Sequence, residues 1–239
     1  MSAKYLGQTF DIHAGGLDLI FPHHENEIAQ SCCAHDTEIM ANIWMHNGYV
    51  TVDNEKMSKS LGNFTTVADA LSKHRGEAVR YALMTGHYRA PLDYSDRAVD
   101  EAKAALDRLY RAAQDVAPTK IDEAVLAALH DDLNIPLALS ALHGLAKEAN
   151  KGDMDAAGRL RASANLLGLL SQPLQVWLQG GDAAQADGLS DAEIEAAIAE
   201  RAAARANRDF ATADAVRDRL AEAGIELLDG PEGTSWQRK

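Results

Sequence analysis

The chain has little cysteine, few aromatic side chains and a deficit of positive charge. Of 239 residues two are cysteine, six are proline and 5% are aromatic, and the formal net charge is −13. Cys32 and Cys33 are adjacent, so they cannot tie distant segments into a disulfide framework, and reduced thiols are expected. No apolar run reaches the length of about 18 residues that would span a bilayer, and "MSAKYLGQTF" lacks the apolar core of a secretory signal. A soluble, cytoplasmic chain with no membrane partner is expected. The acidic balance argues against wholesale coating of nucleic acid, DNA included, because neutralising phosphates needs concentrated Lys and Arg. Any RNA contact must be a patch. One is visible at Arg201, Arg205, Arg208, Arg217 and Arg219, diluted by only three aspartates.

What is present is a core-sized apolar fraction, 46%, in a recognisable order. "TFDIH" (9–13) reads as a short strand, "AGGLD" as a glycine turn, and Pro22 as the first position of a helix to about Ala34. "WMHNGYVTV" (44–52) alternates as a strand does, and "DNEKMSKSLGN" (53–63) follows as a polar, lysine-bearing loop. From Val67 apolar residues recur at three and four spacing through residues 67–86, 95–116, 121–133, 135–150 and 154–170, which predicts a helix bundle. Ser95 precedes one helix, and Ser190 precedes another with Glu193 three residues on, a capping-box pattern. "QGGDAAQADG" (179–188) has linker composition, and beyond it lie a helical hairpin and a short extended end.

The chemistry concentrates in "DLIFPHHENEIAQSCC", residues 18–33. His23 and Glu27 stand four apart, so on a regular helix both project from one face with Cβ atoms about 5–6 Å apart, and one divalent ion could take both. His24 has Ile28 at the same offset, which cannot ligate, and Cys32 and Cys33 point elsewhere at about 100° per residue, as packed thiols would. A tetrahedral zinc needs four ligands and this face provides two. Spacing alone leaves an ordinary solvated helix face equally open.

The strings "FDIHAGGLDLIFPHHENEIAQS" and "WMHNGYVTVDNEKMSKSLGN", continued by "EAVRYALMTGHYRAPLDYS", "DDLNIPLALSALHGLAKE" and the terminal "ARANRDFATADAVRDRLAEAGIELLDGPEGTSWQRK", resemble the cysteinyl-tRNA synthetase family of class I aminoacyl-tRNA synthetases. The resemblance covers essentially the whole chain. It implies part of a Rossmann-like α/β nucleotide-binding domain over residues 1–66, a stem-contact region and α-helical bundle over 67–178, a linker over 179–189 and a small anticodon-binding domain over 190–239. It also implies that the chain begins near the middle of the catalytic domain, the family's "HIGH" element and two zinc-ligating cysteines lying upstream of Met1.

What the resemblance implies for single residues follows from the family's chemistry. Its members activate cysteine with ATP and magnesium to cysteinyl-adenylate and pass the cysteinyl group to tRNA(Cys). A zinc ion in the amino acid pocket takes the substrate thiolate, and His23 and Glu27 match its non-cysteine ligands. "KMSKS" matches the signature loop, with Lys56 and Lys59 catalytic, Lys59 on the ATP phosphates, Met57 a hydrophobic peg and Ser58 and Ser60 polar loop residues beside them. Gly15, Gly16 and Asp18 would bind adenosine, although a glycine pair and an aspartate are equally a plain turn. His13 and Trp44 match pocket residues and read equally well as a structural imidazole and a core indole. Arg205, Phe210, Asp214 and Asp229 would read the anticodon and Trp236 could stack, while Phe210 reads equally as a core residue of the hairpin. Two rival assignments share parts of this pattern: a cysteine ligase of mycothiol synthesis, whose family lacks an end like residues 190–239, and a noncatalytic tRNA-binding module.

Overall fold

A computed structural model describes residues 2–52, 55–56, 65–179, 189–230 and 233–238. The chain runs through α1 (Ser2–Leu6), β1 (Phe10–Gly16), two single turns (Leu17–Leu19 and Ile20–His24), α2 (Glu25–His35), β2 (Ala41–Asn47), β3 (Val50–Val52) and β4 (Glu55–Lys56). Next come α3 (Val67–Lys73), α4 (Gly76–Leu83), β5 (Leu92–Tyr94), α5 (Asp96–Ala113), α6 (Glu123–His130), α7 (Ile135–Ala149), α8 (Met154–Leu166) and α9 (Leu174–Gln179). Helices α10 (Asp191–Ala206) and α11 (Phe210–Glu222) precede β6 (Ile225–Gly230) and β7 (Gly233–Arg238). Two compact units result, one from Met1–Ala104 with Asp122–His143, the other from Ala105–Ile121 with Gly144–Lys239.

In the first unit β1 and β2 pair in parallel, with α2 as the crossover that parallel pairing demands. Phe10, Met40 and Ala41 are buried, with Ile28 and Cys32 of α2 and Trp44 of β2 packed against them. Cys32 is thus a packed thiol, whereas Cys33 is exposed, because one step of about 100° carries it off the sheet-facing stripe. Pro22 does not open the helix. Phe21 is extended (φ −131°, ψ 132°), an irregular turn covers Ile20–His24, and regular α2 begins only at Glu25.

The strand expected over 44–52 is two strands in two sheets. Gly48 N donates to Tyr88 O at 2.7 Å, and a Cβ on Gly48 would run into the Ala90 carbonyl, so a loop crosses where the strand would have continued. β3 then pairs in parallel with β5 (Val50↔Leu92) and antiparallel with β4 (Thr51↔Lys56), which makes Glu55–Lys56 a hairpin strand and not part of a loop. The helix expected over 67–86 is likewise two: Arg75 is extended (φ −66°, ψ 136°) between α3 and α4. Asp132, in the α6–α7 connection, accepts from Tyr88 Oη at 2.7 Å and Arg89 Nε at 2.7 Å.

In the second unit Tyr110 of α5 stacks on Trp177 of α9 with centroids 4.6 Å apart, and the indole N–H donates to Asp107 at 2.8 Å. Arg161 is 8% exposed and donates to the carbonyls of Gln114 and Gln172, both at 3.0 Å. Ser190 caps α10 with the reciprocal bonds its sequence predicts: its Oγ accepts from Glu193 N at 3.3 Å and its N donates to Glu193 Oε2 at 2.8 Å. Ile194, Ala197, Val216, Leu220, Ile225 and Trp236 form the core that joins α10, α11 and the β6–β7 hairpin.

Candidate functional site

Ligands of open α/β sheets sit outside the carboxyl ends of the strands, and there the first unit gathers its imidazoles. The β1–β2 register sets His13 opposite Trp44 and Gly15 opposite His46. The irregular turn before α2 carries His24 over this face, where it is 6% exposed. His24 meets the ring of His13 edge-on with centroids 4.7 Å apart, lies 5.3 Å from Trp44 and 5.1 Å from His46, and its Nδ1 is 2.9 Å from His46 Nε2. Gly15 makes room for it. A Cβ there would come within 2.9 Å of His24 Cε1 and 3.2 Å of Nε2.

Glu27 completes a trio. His13 Nε2 lies 3.2 Å from Glu27 Oε2, and ligand atoms of His13, His24 and Glu27 all lie within 4.8 Å of one another. His23, expected to pair with Glu27, is exposed and is not a member of this group, which has His24 beside Glu27. Residues three apart share a helix face as residues four apart do, so His24 can reach Glu27 from that offset. Burial and the neighbouring His13 and His46 push the His24 pKa down, so its imidazole is held neutral, the form that ligates a metal. His13 and Trp44 pack ring on ring with centroids 4.7 Å apart, and Trp44 also packs on the Phe10–Met40 core.

The adenosine residues read from sequence divide. Gly15 serves His24, Gly16 closes on Asp18 (a Cβ there would meet Asp18 Oδ1 at 2.6 Å), and Asp18 is exposed. Of Lys56 only the backbone, paired with Thr51, is described; Met57, Ser58, Lys59 and Ser60 lie outside the described residues.

At the other end of the chain, a concavity of about 210 Å³ on α10 and α11 is lined by Arg201, Arg205, Phe210, Ala213, Asp214 and Arg217. Phe210 is 64% exposed, so it is not a core residue of the hairpin. Asp229 accepts both guanidinium nitrogens of Arg201 at 2.9 Å, Arg205 Nη1 at 3.3 Å and the Thr234 hydroxyl at 2.7 Å, and these donors hold its carboxyl far below the usual range. Trp236, expected as a stacking surface, is instead 3% exposed with its N–H on Glu195 at 2.8 Å: alternation along β7 turns it inward. The arginine patch is also less free than its sequence suggests. Arg217 pairs with Asp214 and Asp218, and Arg219 pairs with Glu200, all at 3.0 Å.

Sequence reasoning passed over His24, His46 and Arg201 as site residues. The offset of three from His24 to Glu27, and the two-residue step from Trp44 to His46 on one strand face, were the available signals. No sequence signal connects Arg201 with Asp229, 28 residues on.

Comparison with known proteins follows the same division. Residues 1–104 match the model of the tRNA synthetases class I (C) catalytic domain, 124–179 the DALR domain, and 187–236 the cysteinyl-tRNA ligase anticodon binding domain. The chain is 55% identical over 245 residues to a cysteine–tRNA ligase of Rhodospirillum centenum and 54% identical over 250 residues to that of Paramagnetospirillum magneticum, matching 100% of this chain and 54% of each relative. It is 53% identical over 253 residues to the Salmonella agona protein of the same name. The chain thus spans about half the length of the curated relatives it matches. In fold it resembles the LeuRS of Agrobacterium radiobacter K84, solved in a ternary complex with tRNA and LeuAMS, with a TM-score of 0.52 and 19% identity over 66% of this chain and 25% of that one.

Proposed function

We propose, since this chain belongs to the cysteinyl-tRNA synthetase family, that its residues carry the amino-acid-sorting face, the lysine loop and the anticodon-reading end of an ATP-dependent cysteine–tRNA ligase. The reaction would join cysteine and ATP into cysteinyl-adenylate with release of pyrophosphate, then move the cysteinyl group to the terminal ribose of tRNA(Cys). The supporting observation is the gathering of His13, His24 and Glu27 within 4.8 Å at the ends of the parallel strands. Imidazole nitrogen and carboxylate oxygen are donors that fit zinc, and the two upstream cysteines that the resemblance implies would complete the tetrahedral site. When bound, zinc supplies a centre that favours a soft thiolate over a hydroxyl, which sorts cysteine from serine.

The chain's own residues do the rest. His24, buried and neutral, offers a lone pair without a proton to lose. Trp44 and His13 pack ring on ring beside the site and would wall it. Lys56 and Lys59 bring ammonium charge to the leaving pyrophosphate, as electrostatic relief of a transition state requires. Phe210 offers an exposed ring for a base to stack on, beside Arg205 and Asp214. Asp229, fixed from below by Arg201, presents an ionised acceptor to base-edge donors.

Cysteine-dependent ATP–pyrophosphate exchange tests this. A polypeptide of these 239 residues is expected to be silent, and one extended upstream to the length of its relatives is expected to exchange, with zinc content rising alongside. Exchange by the 239-residue polypeptide alone, or equal zinc in both, contradicts the proposal.

A further inference from the structure

The segment between α4 and β5 is bonded to the junction of β2 and β3 and is itself held from elsewhere in the first unit. Gly48 N donates to Tyr88 O at 2.7 Å and Leu92 N to Tyr49 O at 2.8 Å, and a Cβ on Gly48 would run into the Ala90 carbonyl. Side chains of the same segment converge on one residue of the α6–α7 connection. Asp132 accepts from Tyr88 Oη at 2.7 Å on one carboxylate oxygen and from Arg89 Nε at 2.7 Å on the other, and Arg89 Nη2 reaches the first at 3.1 Å. The Arg89 guanidinium also lies over the Tyr88 ring, 5.0 Å from its centroid, and that ring stacks on His87 with centroids 4.9 Å apart. Asp132 and Leu133 both have left-handed backbone, φ 52° and 54°, a conformation that residues other than glycine keep where surrounding contacts enforce it. A half-exposed ion pair adds little to global stability, so the consequence of this one is geometric.

We propose that Asp132 is a positioning residue for the activation step: by clamping Tyr88 and Arg89 it fixes the segment to which Gly48 and Tyr49 are bonded, and so holds β3 and β4 in place relative to β2. β2 and β3 belong to different sheets, and only Gly48 and Tyr49 stand between them. Two residues of backbone do not fix one sheet against another; the bonds from Gly48 N and to Tyr49 O do. The inference rests on the function proposed above, in which the face carrying Trp44 sorts the amino acid and the lysines of the chain that follows β3 meet the ATP phosphates. Groups held on separate sheets act together only while the sheets keep their spacing. A displacement of about 1 Å, caused far from the chemistry, can slow a step about 100-fold.

Asp132→Gly and Asp132→Asn separate contact from backbone, because both residues tolerate the left-handed conformation and only Asn keeps an acceptor. In the 239-residue chain, hydrogen exchange at the Gly48 and Leu92 amides should quicken about tenfold in Asp132→Gly, as loss of a charge-assisted bond implies, and lie closer to wild type in Asp132→Asn. The Phe10 amide, bonded to the Met40 carbonyl beside the other sheet, should exchange as in the wild type in both. In the upstream-extended chain, Asp132→Gly should lower kcat of cysteine-dependent ATP–pyrophosphate exchange about 10- to 100-fold with KM for cysteine and zinc content unchanged, and Asp132→Asn should recover most of it. Wild-type amide rates at Gly48 and Leu92 in a folded Asp132→Gly chain overturn the proposal. So does an unchanged kcat, or a fall in kcat matched by an equal fall in zinc content, which marks general unfolding. If the extended wild type performs no exchange, the functional reading fails by itself, and the amide rates alone keep or remove the clamp.

Discussion

At the scale of single residues, the trio separates two histidines that are neighbours in sequence. His24→Ala should lower zinc affinity in the upstream-extended chain by more than the about 100-fold typical of outer-sphere losses, whereas His23→Ala should leave it unchanged. Chelator competition on the two variants checks this, and the reverse ranking would restore the pair read from spacing. In the C-terminal concavity, Phe210→Ala should weaken binding of an anticodon stem-loop by about 1–3 kcal/mol, the worth of one base–aromatic stack, and Phe210→Tyr should keep it. Fluorescence titration of both variants is the check. Equal binding would return Phe210 to the role of an exposed apolar residue without a partner. Glu27 was legible at this scale as a carboxylate beside an imidazole, whereas the two glycines, read as adenosine contacts, make room for His24 and close on Asp18. The choice between His23 and His24 was not legible, because offsets of three and four share one helix face and only the approach of β1 shows which ring meets His13.

At the scale of elements, caps and breaks carry the consequences. The capping box at Ser190 was readable from four residues, and Ser190→Ala should cost about 1 kcal/mol in urea unfolding of the chain. A cost near zero would mean that the N-terminal end of α10 is held by Arg238, which donates to Asp191 at 2.8 Å and to the Leu189 carbonyl at 2.8 Å, and not by the cap. The split of residues 44–52 had one local sign, the Asn47–Gly48 dipeptide that marks a turn, but the segment that ends β2 could not be read from it. The partner that ends β2 is the loop at Tyr88–Ala90, 40 residues further on. Trp236 shows the same limit from the other side. An indole near the end of a chain reads as a surface for stacking until the register of β6 and β7, Leu227 opposite Trp236, turns it into the core.

For the molecule as a whole, Asp132 is one source of acid sensitivity, in the first unit, beside Asp229 in the second. Arg89 and Tyr88 donate to the Asp132 carboxyl and bring its pKa down from 3.8 to about 2. A carboxyl whose folded pKa is depressed stabilises the fold above its unfolded pKa and loses that contribution as pH falls through the folded one. The wild type should therefore lose stability between about pH 4 and pH 2 more steeply than Asp132→Asn, as urea midpoints across that range would show. Parallel curves would remove Asp132 from the account. No helix among the described residues is long and apolar enough to cross a membrane. The sequence by itself determined the order of parts, an α/β segment, a helix bundle and a terminal hairpin domain, because hydrophobic period, caps and glycine turns are local and each acts within a few residues. It also determined the kind of chemistry, since imidazole, carboxylate and ammonium side chains carry their reactivity with them. Only the tertiary structure decided which of them meet: His13 with Glu27 across a crossover, His24 with His46 across 22 residues, and Arg201 with Asp229 across a hairpin. Those contacts depend on strand register and on an irregular turn, which are set by packing between distant segments and leave no periodic trace in the chain.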